Sequence, residues 1–224
     1  LVKCGYPLCK GGTMASNPQW CRSVSGWKSL FKRWLEEIKP EEVAAASIFL
    51  DFRHGYGTEQ LAVDLKDYIV RHLDNRSRLL HYLGRQCIGN RPPISFFRDV
   101  VVEMNGEHST ILDIKTRGLM PFVDFARVLA LRYGIRETNT MDRLKLLMVD
   151  EKISKDLYHS AIDAYELQMQ LRVIHQLGQI ESNLEPDNLI DPARLSDIEK
   201  QMLKDGFAVI GRMQNMLDKL YPEA

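Results

Sequence analysis

The chain has 224 residues, of which 45% are hydrophobic and 27% are charged, and its 30 Lys and Arg residues balance its 30 Asp and Glu residues. This composition is typical of a folded globular protein and excludes general disorder, which requires low hydrophobicity and a high net charge. The neutral balance argues against a nucleic-acid-binding protein, and no apolar run reaches the roughly 18–20 residues of a membrane-spanning helix.

The first residue is Leu1, and residues 1–12 lack the apolar stretch of a signal peptide. We therefore interpret the chain as a piece of a longer cytoplasmic protein. Its four cysteines show no zinc-ligand spacing, so we expect free thiols, as is usual in a reducing compartment. The six histidines show no paired-ligand spacing either, and we expect no metal site.

The N-terminal third of the chain predicts a loop followed by helices. Gly and Pro residues interrupt residues 1–19, and apolar residues at helical spacing predict a helix over 23–38. Pro40, followed by two glutamates, is predicted to start a second helix. Thr58 is predicted to cap a third helix, and residues 76–86 to form a fourth.

One β-hairpin is predicted at about residues 99–114. Extended runs at 100–104 and 109–114 flank Asn105-Gly106, and Asn-Gly between two such runs is a strong hairpin signal.

The rest of the chain predicts four more helices. Residues 119–133 are apolar almost all round, which is typical of a helix buried at the centre of a fold. A short helix at about 140–148 is capped by Thr138 or Thr140, a long helix follows Ser154, and a final helix follows Ser196. We expect the last two helices to form an antiparallel pair across a loop at 186–192. The apolar stripe of the long helix is Leu157, Ala161, Ala164, Leu167, Leu171, Ile174 and Leu177. The predicted fold is mainly α, a helical bundle with one β-hairpin.

Several polar segments are candidate anion sites, and each also has a structural explanation. Gly11 and Gly12 follow Lys10, and their backbone N–H groups either face a phosphate or form a tight turn into the first helix. Arg53 follows Asp51, and the two hold either a substrate or each other.

Lys115 precedes the buried helix and either attracts an anion or is simply solvated. Arg136 begins a polar segment that helix capping explains without a ligand. The chain contains no Gly-Ser pair and no D-x-D pair, and we assign no catalytic residue.

Four segments of the chain resemble one known family. Residues 5–20, GYPLCKGGTMASNPQW, resemble the G-[FY]-P-x-C-x-G-G-x-M-A-x-N-P-x-W segment of bacterial signal-transduction nucleotidyltransferases. Residues 47–53, 112–124 and 132–140 resemble the C-terminal region of that family. The resemblance covers essentially the whole chain.

The resemblance implies a relationship to the PII-protein uridylyltransferase and to the glutamine-synthetase adenylyltransferase, with cyclic-nucleotide-binding and CBS domains upstream. Residues 1–20 would be the tail end of a nucleotidyltransferase domain, and residues 21–224 its helical C-terminal domain. The family's catalytic centre is a Gly-Ser turn with an acidic pair that holds Mg²⁺ and a nucleoside triphosphate. Neither element occurs in this chain, so the resemblance implies these cofactors for the full-length parent and none for this chain.

Two functions follow as expectations. In the first, the helical domain closes over the nucleotide or presents a protein acceptor, while the upstream domain transfers the nucleotide. Nucleotide or anion binding would then fall to a shared cleft formed by Lys10, Gly11, Gly12, Arg53, Lys115 and Arg136. In the second, the chain is a non-catalytic interaction or dimerisation module of a signal-transduction protein, coupled to upstream sensor domains. The sequence leaves homodimerisation open, and it does not decide whether the chain takes part in an enzymatic reaction.

Overall fold

A computed structural model divides the chain into two compact units, residues 1–74 and 75–224, which are described separately. It describes residues 2–4, 8–9, 11–73, 77–92, 102–104, 107–109 and 111–223, and for 102–104 and 107–109 it describes the backbone alone. In these ranges, no helix is both long and apolar enough to cross a lipid bilayer.

The described residues of unit 1 form three α-helices, α1 (Val24–Glu37), α2 (Val43–Phe49) and α3 (Gln60–His72). The hydroxyl of Ser23 caps α1 by accepting the Gly26 N–H at 3.1 Å. A 3₁₀ turn at Pro40–Glu42 leads into α2, which confirms the predicted restart at Pro40. The predicted Thr58 cap is wrong. Glu59 occupies the N-cap position of α3, and its side chain makes no capping hydrogen bond.

An aromatic cluster holds the start of unit 1 to its helices. The Trp20 ring lies 4.2 Å from the Phe49 ring and 6.3 Å from the Trp27 ring, measured between centroids. Trp27 in turn stacks on Phe31, a fully buried residue of α1. Residue 20, where the sequence analysis divides the chain, therefore lies inside a compact unit, and the assignment of residues 1–20 to a different domain stays a prediction.

Unit 2 is a helical bundle around α5. Its helices are α4 (Arg78–Gly89), α5 (Met120–Arg132), α6 (Thr140–Val149), α7 (Lys155–Glu181) and α8 (Asp197–Leu220). The central helix α5 contacts α4, α6 and α8. Its buried residues are Pro121, Phe122, Phe125, Ala126, Arg127, Val128, Leu129 and Ala130. The predicted central helix and the mainly α class are confirmed.

The predicted hairpin is confirmed over a shorter range. Strand β1 (Val102–Met104) pairs antiparallel with β2 (Glu107–Ser109), with Glu103 opposite His108. The Asn105-Gly106 turn lies outside the described residues.

The second strand does not continue to Ile114 as predicted. Strand β3 (Leu112–Asp113) pairs instead with β4 (Leu189–Ile190), inside the segment predicted to be a loop. The Asp113 carboxylate accepts the backbone N–H groups of Lys115 and Thr116, each at 3.0 Å. This cap ends the strand and starts a π-helical segment, Ile114–Leu119, that runs into α5.

Helices α7 and α8 form the predicted antiparallel pair, since Asp156 near the start of α7 bonds Arg212 near the end of α8. The stripe predicted for α7 is only partly right. Leu157, Ala161, Ala164 and Leu171 are buried, whereas Ile174 and Leu177 are 65% and 53% exposed. The part of α7 that follows Leu171 therefore keeps apolar side chains in solvent.

Two buried glutamines differ in how their amides are satisfied. Gln214 of α8 donates from Nε2 to the carbonyl oxygens of Cys87 and Asn90, both at 2.8 Å, and so joins α8 to the end of α4. Gln168 of α7 is fully buried, and neither of its amide atoms has a hydrogen-bond partner in the described part of the chain. Two glycines, Gly118 and Gly206, make room for its side chain.

Candidate functional site

The structure places the predicted anion-binding residues in different parts of the chain. Gly11, Gly12 and Arg53 belong to unit 1, whereas Lys115 and Arg136 belong to unit 2. Lys10 lies outside the described residues. The shared cleft that the sequence suggested therefore stays a prediction.

In unit 1, Gly12 forms a turn. Its φ of 67° lies in the left-handed region that favours glycine, and its N–H donates to the Cys9 carbonyl at 3.0 Å. The Asn17 side chain donates to the Gly12 carbonyl at 3.0 Å. These bonds support the turn interpretation, because the Gly12 N–H already has an acceptor. Arg53 is exposed in the segment after α2.

In unit 2, Lys115 and Arg136 flank opposite ends of α5. Lys115 is exposed in the π-helical segment that precedes α5, and Arg136 is exposed in the loop that follows it. The 13 residues of α5 alone span about 20 Å at 1.5 Å per residue. The structure does not bring these two cations together.

The loop that contains Arg136 is fixed at both ends. It starts at Gly134, whose φ is 71°, and the Ile135 N–H donates to the Ala130 carbonyl at 2.8 Å. Farther along, Nε of Arg143 donates to the Glu137 carbonyl at 2.6 Å. Arg143 is a buried residue of α6, so this bond holds the loop against the start of that helix.

Asn139 caps α6, in place of the predicted Thr138 or Thr140. Its Oδ1 accepts the N–H groups of Met141 at 2.9 Å and Asp142 at 3.3 Å. Asn139, between the two threonines, is the N-cap because its short side chain reaches the backbone N–H groups at the N2 and N3 positions. These two N–H groups are therefore already bonded.

A cleft of about 720 Å³ lies between this capped helix start and the middle of α7. The residues that line it are Thr138, Asn139, Thr140, Met141, Tyr165, Glu166, Met169 and Gln170. The ring of Tyr165 packs edge-on against the buried Phe122 of α5, with centroids 5.9 Å apart. The α7 wall of the cleft is thereby positioned by the core of the bundle.

The lining of the cleft exposes more apolar than polar surface. Its lining offers hydroxyl and amide groups for hydrogen bonds, Met169 and Met141 for contact with apolar groups, and Glu166 as the one charged side chain among the lining residues. Glu166 is exposed. Since no cation is among these eight residues, the cleft suits a neutral or cationic group better than a triphosphate.

The C-terminal half of α7 forms a second set of polar contacts, with residues 187 and 188 of the segment that follows the helix. His175 bonds Asp187 at 2.8 Å, and Arg172 and Gln176 both donate to Asn188. Gln179 accepts the Asp187 N–H at 2.9 Å. The His175 hydrogen bond is the main reason why the pKa of the Asp187 carboxyl lies below its ordinary value.

Among the described residues, no group of three or more His, Cys, Asp or Glu side chains is arranged to hold a metal ion. The four cysteines are free. Cys87 is buried beside α5, and burial raises the pKa of its thiol, so it remains protonated at neutral pH.

The α7 side of the cleft was not predicted from the sequence. Glu166 and Gln170 are four residues apart on a helix, so their shared face was detectable, but nothing in the sequence indicated that it meets residues 138–141. Arg136 is the predicted candidate nearest to the cleft along the chain, two residues before Thr138.

Comparison with known protein families gives two matches. Residues 77–221, about two thirds of the chain, match the family model described as "Putative nucleotidyltransferase substrate binding domain". Residues 1–41 match the model described as "Putative nucleotidyltransferase DUF294". No curated protein matches the chain. No solved structure matches it either. The longer match includes all of α4–α8 and every residue that lines the cleft.

Proposed function

Because the chain belongs to the family described as "Putative nucleotidyltransferase substrate binding domain", we propose that unit 2 holds the acceptor substrate of a nucleotidyltransferase. The acceptor is a protein, and the parent enzyme resembles PII-protein uridylyltransferase. The chain has neither a Gly-Ser pair nor a D-x-D pair, so the transfer chemistry, with its Mg²⁺ and nucleoside triphosphate, belongs to another part of the same protein.

The observation that carries this proposal is the cleft between α6 and α7. Its volume of about 720 Å³ is within the usual range of ligand sites, which runs from about 300 to 1,000 Å³. Its one charged lining residue is Glu166, which favours a polar or cationic segment of a protein over the phosphates of a nucleotide. Of the two roles expected from the resemblance, presentation of the acceptor is therefore the better supported.

Calorimetric titration of this chain with a PII-type protein, and separately with Mg²⁺ and UTP or ATP, tests the proposal. We expect the protein acceptor to bind, and Glu166→Gln to weaken its binding about tenfold, the loss of one charge-assisted hydrogen bond. Asp163→Asn removes a charge from α7 outside the cleft and serves as the matched control. Tight binding of the nucleotide alone, with acceptor binding unaffected by Glu166→Gln, would contradict the proposal.

A second function has an observation in its favour. The exposed apolar residues of α7, among them Ile174 and Leu177, favour an interaction or dimerisation module. Light scattering coupled to size-exclusion chromatography tests self-association. A dimer of the chain that dissociates in Leu177→Ser would support the module, whereas a monomer at all concentrations would favour acceptor binding.

A further inference from the structure

The last turns of α7 present an apolar strip to solvent. The strip consists of Val173, Ile174, Leu177 and Ile180, whose exposed fractions are 47%, 65%, 53% and 55%. Single exposed apolar residues are common on protein surfaces, but four on successive turns of one helix form a contiguous patch.

The strip continues the wall of the cleft. Val173 lies seven residues after Glu166, Leu177 seven after Gln170, and Ile180 seven after Val173. Seven residues are almost two full helical turns, so these side chains share one face of α7. From Glu166 to Ile180 this face is about 21 Å long at 1.5 Å per residue. A bound segment along the strip therefore leads directly into the cleft.

The backbone under the strip is held in place from the opposite side. His175, Gln176 and Gln179 bond the returning segment at Asp187 and Asn188. His175 and Gln179 point away from the strip, because each is only one or two residues from the nearest strip residues, whereas helix neighbours are three or four apart. Gln176 lies on the flank of the strip, three residues after Val173 and four before Ile180. The strip is thus carried by a helix that is already anchored, which lowers the entropic cost of binding a partner.

The charges around the strip are acidic. Glu181 ends α7, Glu185 follows it, and Glu166 lies at the cleft end of the same face; none of the three forms an ion pair with a described residue. No basic residue lies in the last turn of α7, so no side chain of that turn offsets the negative end of the helix dipole. The side chain of Arg172, which directly precedes the strip, is directed to Asn188.

We propose that the strip docks a basic amphipathic helix of the protein acceptor, with its apolar face on Val173, Leu177 and Ile180 and its Lys or Arg residues near Glu181 and Glu185. This inference rests on the proposed function, since it identifies how the acceptor of that same cleft is recognised. Helix-in-groove recognition uses this spacing of apolar anchors. Four half-exposed side chains form a patch of a few hundred Å². A second copy of the chain would need about 800 Å² per partner, so a single helix fits better.

Two synthetic amphipathic helices of about 18 residues test the proposal. They share one leucine face, and their flanking residues are lysine in one peptide and glutamate in the other. Fluorescence anisotropy measures the binding of each labelled peptide to the full chain. We expect the lysine peptide to bind at least about tenfold more tightly, with the difference shrinking as salt is raised from about 50 to about 300 mM, because screening weakens exposed charge pairs.

Variants of the chain locate the site. Leu177→Ser should weaken the binding of the lysine peptide at least about tenfold, because one anchoring side chain is lost. Val149→Ser is the matched control, since Val149 is an exposed aliphatic residue at the end of α6. The double variant Glu181→Gln with Glu185→Gln should remove most of the preference for lysine over glutamate. The circular dichroism of each variant checks that its fold is retained.

Three results would overturn the inference. These are equal binding of the two peptides, unchanged binding by Leu177→Ser, and a dimer of the chain that Leu177→Ser dissociates. The proposed function is tested separately, because the peptide assay involves neither nucleotide nor cleft residues. If a PII-type acceptor binds Leu177→Ser normally but binds Glu166→Gln weakly, the docking role of the strip is refuted and the proposal that the cleft binds the acceptor is supported.

Discussion

Replacement of Gln168 by methionine should stabilise the protein. The side chain is fully buried, and neither amide atom has a partner among the described residues. A buried polar group without a hydrogen bond costs about 1–3 kcal/mol in mutational studies. Methionine has a similar length, is flexible enough to fill the space beside Gly118 and Gly206, and brings no amide. We expect Gln168→Met to raise the free energy of unfolding by about 1–3 kcal/mol.

Urea denaturation measures this change. With a slope of about 2 kcal/mol per molar, the unfolding midpoint should rise by about 0.5–1.5 M. Gln214→Met is the matched control. It removes two hydrogen bonds at 2.8 Å and leaves the carbonyls of Cys87 and Asn90 without their donor, so it should lower stability by about 1–3 kcal/mol. If Gln168→Met instead destabilises by more than about 1 kcal/mol, the Gln168 amide is hydrogen-bonded and the reasoning is wrong.

Three further outcomes are expected. Gly206→Ala would place a Cβ 2.9 Å from the buried Nε2 of Gln168 and should lower the free energy of unfolding by about 1–3 kcal/mol. Gly211→Ala on the same helix meets nothing within 4 Å and should raise it by about 0.4–1 kcal/mol, and urea denaturation of both variants tests the difference. Leu129→Ala in α5 should cost about 2–5 kcal/mol, and a loss below about 1 kcal/mol in the same assay would mean that α5 is not central. The pKa of Asp187 is lower in the folded chain than its unfolded value of 3.8, so the carboxylate stabilises the fold above that value, and this stability is lost as the pH falls through the folded pKa. Asp187→Asn loses the carboxylate bond to His175. Its melting temperature should therefore decrease less between about pH 5 and pH 2 than that of the unsubstituted chain.

The elements that the sequence predicts well are those whose signal is local. Helix α5 is apolar on every side, so its burial follows without knowledge of its neighbours. Ser154 and Ser196 cap α7 and α8 as expected, because capping depends on residues within one turn.

Two errors are local, since the N-caps of α3 and α6 were predicted at neighbouring residues. The other errors concern partners that are distant in the sequence. Leu112 lies in an extended run that predicts the second strand of the hairpin, but it pairs with Ile190, and no local pattern indicates that pairing. The periodicity of α7 correctly finds its apolar residues, yet it cannot tell that Leu171 is covered while Leu177 is not, because coverage depends on where neighbouring helices end. The cleft escaped prediction for the same reason.

The short pair between β3 and β4 has a consequence for folding kinetics. It joins Leu112 to Ile190 and so closes a loop that contains α5, α6 and α7. Closing a long loop costs conformational entropy before any contact forms, and the hydrogen bonds of a two-residue strand pair offset little of that cost. The pair should therefore form after the helices have assembled and open before they separate. The amide proton of Ile114, which donates to Asn188 beside this pair, should exchange with solvent through local opening, although the Ile114 side chain is completely buried.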